Sequence, residues 1–157
     1  MGNRAFVVFE DRDSETFSPA IYLHWNGGPE SVYAFLDELE RRGVRGDQCY
    51  EAARFVQIVG EFMDQDAYSG LSLGISNGPK NGTIEEFENF NHGDNGLYIV
   101  CRHGGRRVRR FTGYDEFHEW TQEQVESERK AAYKHEYHTK QNIANTWQEI
   151  YKNKPVA

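Results

Sequence analysis

Ile21-Tyr22-Leu23-His24-Trp25-Asn26-Gly27-Gly28-Pro29 runs directly into Glu30-Ser31-Val32-Tyr33-Ala34-Phe35-Leu36-Asp37-Glu38-Leu39, and the fold class is decided at that join. Before Asn26, Ile21, Leu23 and Trp25 alternate with Tyr22 and His24, the period of two that buries one face of a strand. After Pro29, apolar residues recur at Val32, Phe35, Leu36 and Leu39, the i, i+3, i+4, i+7 spacing of a helix with one apolar stripe. Asn26-Gly27-Gly28 stops the strand. Pro29 suits a first helical turn, where its missing N–H costs nothing.

Working outward, Arg4 to Phe9 is β-branched and aromatic, the composition of a strand. With the polar turn at Asp11–Glu15 it predicts a hairpin onto Ile21–Trp25. Downstream, Gly43 ends the first helix, and Arg41 and Arg42 sit favourably in its last turn. Asp47 is a candidate N-cap for a second helix, with Cys49, Ala53, Val56, Val59 and Met63 as its expected buried face. Gly60 is expected to mark a close crossing. Leu71, Leu73 and Ile75 alternate as a further half-buried strand. The long stretch from Asn77 to Asn95 is expected to be a loop, tacked to the core by a short helical turn carrying Ile84, Phe87 and Phe90. Leu97–Arg102 and Arg106–Phe111 flank His103-Gly104-Gly105 and read as a hairpin. Asp115 is expected to cap a final helix, with Phe117 and Trp120 as its first core contacts. No Gly or Pro follows Asp115 until Pro155, so an unbroken helix over 115–152 would extend roughly 55 Å. The predicted fold is α+β: a five-stranded antiparallel sheet with two helices on one face and a long C-terminal helical segment. Residues 1–114 form the core domain, and 115–157 the helical segment, packed on that domain or projecting from it.

A chain of 157 residues with 14% aromatic content can build one core from rings such as Phe35, Phe55 and Trp25. Only Cys49 and Cys101 are present, both at positions expected to face that core, which fits a reducing compartment. No apolar run is long enough to span a bilayer, and no basic-then-apolar leader opens the sequence. A cytoplasmic protein with no cofactor and no membrane partner is expected. The net charge of −7 is unevenly spread. Residues 1–100 carry 7 basic and 17 acidic side chains, whereas 101–157 carry 11 and 8. An acidic body with a local basic feature is a statement about partners.

That basic feature is Arg102, Arg106, Arg107, Arg109 and Arg110. On a ribbon Arg107 and Arg109 share one face, and Arg106 and Arg110 the other, so guanidinium pairs could grip phosphates or enter a major groove. Equally, they could pair with the chain's own carboxylates. The second candidate surface is the aromatic stripe of Tyr133, Tyr137, Trp147 and Tyr151, which either docks on the sheet or forms an interface, including a homodimer. A small hydrolase-like site is a third reading, if His24, His92 and Asp94 meet between the turn after Trp25 and the loop at 91–96. His135 and His138 are one residue short of zincin spacing and lack a Cys pair, so no metal site is expected. Asn26-Gly27-Gly28-Pro29-Glu30 is read as a tight turn and not a phosphate loop, because Pro29 removes an amide and Glu30 repels an anion.

Asn3-Arg4-Ala5, the run Tyr22-Leu23-His24-Trp25-Asn26-Gly27-Gly28, Ala34-Phe35-Leu36 and Asp94-Asn95-Gly96-Leu97-Tyr98-Ile99 together resemble an uncharacterised family of small proteins. These are encoded on bacterial plasmids, integrative elements and phages. The resemblance covers roughly residues 3–100 and brings no catalytic residues with it. It implies a mobile genetic element as origin. The function expected from it is a non-enzymatic inhibitor of a bacterial defence system, of anti-CRISPR or antirestriction type, acting by protein–protein contact in the host cytoplasm. Its partner is then a bacterial defence complex. The alternative is a nucleic-acid-binding module using residues 102–110.

Overall fold

A computed structural model describes residues 3–11, 15–63, 73–92, 94–102 and 104–133. Along the chain the elements are β1 (Ala5–Asp11), β2 (Thr16–Phe17), β3 (Ala20–Leu23), α1 (Pro29–Arg41), α2 (Gln48–Met63), β4 (Leu73–Ser76), α3 (Ile84–Glu88), β5 (Leu97–Cys101), β6 (Arg107–Thr112), β7 (His118–Glu119) and α4 (Gln122–Tyr133). The class is α+β, as the sequence predicts. Six strands lie in the order β4-β3-β1-β5-β6-β7, and β2 pairs with the far end of β1.

The sheet departs from the expected five antiparallel strands. β1 is antiparallel to β3 but parallel to β5, in the register Phe6↔Leu97 to Phe9↔Val100. The hairpin of β5 and β6 forms as expected. Its antiparallel partner β7, like β2, is two residues long, too short to leave a period of two in the sequence. Gly96 opens β5 with φ of 66°. Its carbonyl accepts a hydrogen bond from the Phe6 amide, fastening the parallel pair at its start.

On one face, Val7, Phe9, Ile21, Leu23, Tyr98 and Val100 meet α1 and α2 in the main core. Val32, Phe35, Leu36 and Leu39 of α1 are all buried there, as the apolar spacing predicts. Pro29 is the first helical residue, and Gly43 follows the helix end at φ 68°. Asp47 does cap α2, accepting from the Tyr50 amide at 2.9 Å. The face of α2 is corrected. Its core-facing residues are Ala52, Phe55, Ile58 and Val59, whereas Cys49 and Ala53 are exposed and a Cβ on Gly60 would meet nothing. Trp25 is also corrected: β3 stops at Leu23, and the indole is 45% exposed.

The opposite face carries a smaller cluster of Val8, Ala20, Phe87, Leu97, Ile99 and Phe111. α3 covers part of it. Thr83 caps α3 by accepting from the Glu86 amide, Phe87 is buried and Phe90 packs alongside, as expected; Ile84 is exposed.

The final helix starts later than Asp115. Residues 114–116 bend, and Thr121 and Gln124 bond each other's backbone amides in a reciprocal cap. Phe117 packs on the smaller cluster, and the Trp120 indole N–H donates to Thr112 Oγ1 at 2.6 Å. Within its described length α4 lies against α1 and β6, burying Val125 and Ala132. Arg110 of β6 is the anchor beneath it. The side chain is 1% exposed, pairs with Glu128 at 2.8 Å, donates to the Asn95 and Leu97 carbonyls, and lies 3.7 Å over the Tyr98 ring.

Candidate functional site

Strand alternation aims the hairpin arginines in two directions, and carboxylates meet most of them. Arg106 reaches Asp37 of α1 at 2.7 Å, and Arg110 reaches Glu128 of α4. On the other face Arg109 pairs with Glu119 at 2.8 Å and lies 5.1 Å from the Phe111 ring. That guanidinium holds the Glu119 carboxyl below its ordinary range. Arg102 reaches Glu51 of α2 at 3.4 Å. Arg107 is exposed, with no hydrogen bond or ion pair among the described residues. Of the two readings open for this hairpin, internal pairing is therefore the geometry of four of its five arginines.

Glu51 is only 2% exposed. Burial pushes its carboxyl from 4.5 to about 7, against the opposing pull of Arg102. Between those values the folded chain keeps a proton that the unfolded chain releases, so stability present at low pH is lost as pH rises through about 7. The loss is on the order of 3–4 kcal/mol at most, because each tenfold change in proton affinity between the two states is worth about 1.4 kcal/mol. Glu51→Gln is expected to flatten this fall. Urea unfolding of both proteins at pH 5 and pH 8 checks it; equal pH dependence would mean that Arg102 keeps the carboxylate ionised.

The second candidate is a corner at one end of β1 and β3. Tyr22 Oη and His24 Nδ1 are hydrogen-bonded at 2.8 Å. His92 stacks on Phe6 with centroids 5.4 Å apart, and its ring lies 5.2 Å from that of Tyr22. Asp94 accepts from both the amide and Nε of Arg4 at 3.0 Å, which holds its carboxyl below the usual range. The loop at 91–96 thus brings His92 and Asp94 to the turn that bears His24, as the enzyme reading requires. None of the three is hydrogen-bonded to another. Tyr22 touches both imidazoles and separates them, and Arg4 occupies the carboxylate. The corner offers a Tyr–His pair and a row of half-buried rings, without a base oriented by an acid.

The third feature lies on the face of α2 that the sequence assigns to the core. Cys49, Ala53 and Val56 form one wall of an apolar groove of about 360 Å³, and Pro19, Ile21 and Ile75 form the other. Ile75 is 63% exposed. It lies on β4, which ends the strand order, so its outer backbone edge pairs with no strand among the described residues. Of the apolar stripe read from the sequence, Val59 is buried in the main core and Val56 packs against it, whereas Cys49 and Ala53 turn toward the sheet edge.

No family model, curated protein or solved structure matches this chain. Its site residues are therefore judged on geometry. Of the aromatic stripe, Tyr137, Trp147 and Tyr151 lie outside the described residues, as do His135 and His138; Tyr133 is the last residue of α4. Among the described residues, no three His, Cys, Asp or Glu side chains gather as metal ligands, and no helix is long and apolar enough to cross a membrane.

Proposed function

We propose that this chain is a binding protein that acts by surface contact, its partner laying an extended apolar segment along the groove between α2 and β4. The observation that carries this reading is the groove itself. An apolar trough beside a strand edge unpaired among the described residues combines the two elements of strand-addition recognition, main-chain hydrogen bonds and pockets for alternate side chains. The pairing of Arg102, Arg106, Arg109 and Arg110 with carboxylates favours protein contact over phosphate-backbone binding by the hairpin. The partner class follows from the resemblance to proteins of mobile genetic elements: a bacterial defence protein, inhibited by occupation and not by chemistry.

The test pairs the wild-type chain with Ile75→Asp, which places a charge in the trough at an exposed position. Expression of the wild type is expected to raise phage plating or plasmid transfer in a host with an active defence system. Ile75→Asp should lose that effect while unfolding at the same urea concentration. Unchanged plating and transfer across hosts with different defence systems, or full activity of Ile75→Asp, overturns the proposal.

A further inference from the structure

The apolar groove has a basic neighbour on the same helix. Cys49, Ala53 and Val56 wall the groove, and the residue after each of them lines a second, open pocket of about 320 Å³. Tyr50, Arg54 and Gln57 thus face Arg42 and Arg45 from the end of α1 and the turn beyond it. One residue along a helix is a rotation of about 100°, so the two hollows flank the solvent crest of α2. Ala53 and Gly60, about two turns apart on one line of the helix, keep that crest low.

Charge is concentrated on the far side of the crest. Residues 1–100 hold only 7 basic side chains. Arg42, Arg45 and Arg54 all line this one pocket, and no carboxylate lines it among the described residues. Arg42 is committed to Glu38 and Glu61 at 2.9 Å each and forms the back wall. The other two are available. Arg54 has no ion pair within 4 Å among the described residues, and its Nη1 donates to the neutral Gln57 Oε1 at 2.8 Å. Arg45 meets Asp47 at 3.3 Å with its side chain 75% exposed, a contact of the kind that contributes little and exchanges readily.

Both guanidinium groups lie over the Tyr50 ring, Arg45 at 4.6 Å and Arg54 at 5.6 Å from its centroid. Stacking on a ring engages the flat face of a guanidinium and leaves its N–H edge for a carboxylate fork. The same stacking takes up the ring that a nucleobase would need, which disfavours single-stranded nucleic acid as the occupant.

We infer that the partner segment lying in the groove is flanked by acidic residues, whose carboxylates cross the crest of α2 to Arg45 and Arg54. This rests on the groove reading above and adds the partner's charge to it. An apolar strand with an acidic flank is the complement of an uncharged trough beside paired arginines.

Fluorescence anisotropy of the full chain with two labelled peptides tests the inference. Both peptides alternate Val and Thr; one carries Glu-Glu at each end, the other Gln-Gln. Both are expected to bind, the acidic peptide about three- to tenfold more tightly at low salt, with the difference shrinking as salt screens it. Arg45→Gln with Arg54→Gln should abolish the preference while leaving the Gln-flanked peptide bound as before, and Ile75→Asp should weaken both. Arg107→Gln on β6 should keep the preference. Equal binding of the two peptides, or a preference that survives the double-glutamine variant, overturns the inference and leaves the groove standing. Neither peptide bound at about 1 mM overturns the groove reading, and this inference with it. A labelled single-stranded oligothymidylate held more tightly than the acidic peptide, and released by the double-glutamine variant, assigns the arginines to phosphates and overturns it as well.

Discussion

Replacing Arg110 with alanine is expected to destabilise the fold by about 3–5 kcal/mol, the usual cost of breaking a buried ion pair from one side. Three losses coincide at that position. Glu128 keeps its charge in a half-buried setting without its partner at 2.8 Å. The Asn95 and Leu97 carbonyls lose a shared donor at the start of β5. The face of Tyr98 loses the guanidinium 3.7 Å above it, leaving a gap beneath α4. Arg107→Ala, three residues earlier and exposed, should stay within about 0.5 kcal/mol of wild type. Urea unfolding at pH 7 measures both. A loss below about 1 kcal/mol for Arg110→Ala would show that the fold does not depend on this pair.

Gly96→Ala is expected to do comparable damage by a different route. The residue has φ of 66°, and an added Cβ would land against the Phe111 carbonyl oxygen of β6 and the Thr112 methyl. Left-handed strain costs about 1–3 kcal/mol, and the clash adds a similar amount because backbone, not a movable side chain, stands in the way. Gly104 separates the two contributions. Its φ is 69°, but a Cβ there meets nothing, so Gly104→Ala should carry the strain alone. Unfolding midpoints that fall equally in the two variants would rule out the clash.

The contrast between α1 and α2 shows why the sequence is readable in one place and misleading in another. α1 carries Val32, Phe35, Leu36 and Leu39 on one stripe, and its large apolar residues set the rotation, although Tyr33 and Ala34 beside the stripe are buried as well. In α2, Cys49, Ala52, Ala53, Phe55, Val56, Ile58 and Val59 spread over more than half of the circumference, so spacing alone does not select a face. The large Phe55 and Ile58 choose the buried side, and the smaller residues are left lining the groove. The same limit applies to the sheet. A period of two marks β1 and β5 as strands but carries no information on which neighbour each takes, so their parallel pairing is not legible. The arginine hairpin is visible as charge, whereas its partners are not. Asp37, Glu51 and Glu128 lie on three different helices, and only folding brings them to one ribbon.

The parallel pair of β1 and β5 also governs how the molecule comes into being. Phe6 to Phe9 must wait for Leu97 to Val100 before that edge of β1 is closed. At typical synthesis rates of about 5–20 residues per second, the delay on the ribosome is on the order of 5–20 seconds. Throughout that interval β1 presents Val7, Val8 and Phe9 beside an incomplete ladder. The edge of β1 that pairs with β5 therefore stays open for longer than any hairpin edge in the fold, a cost set by topology and not by final stability.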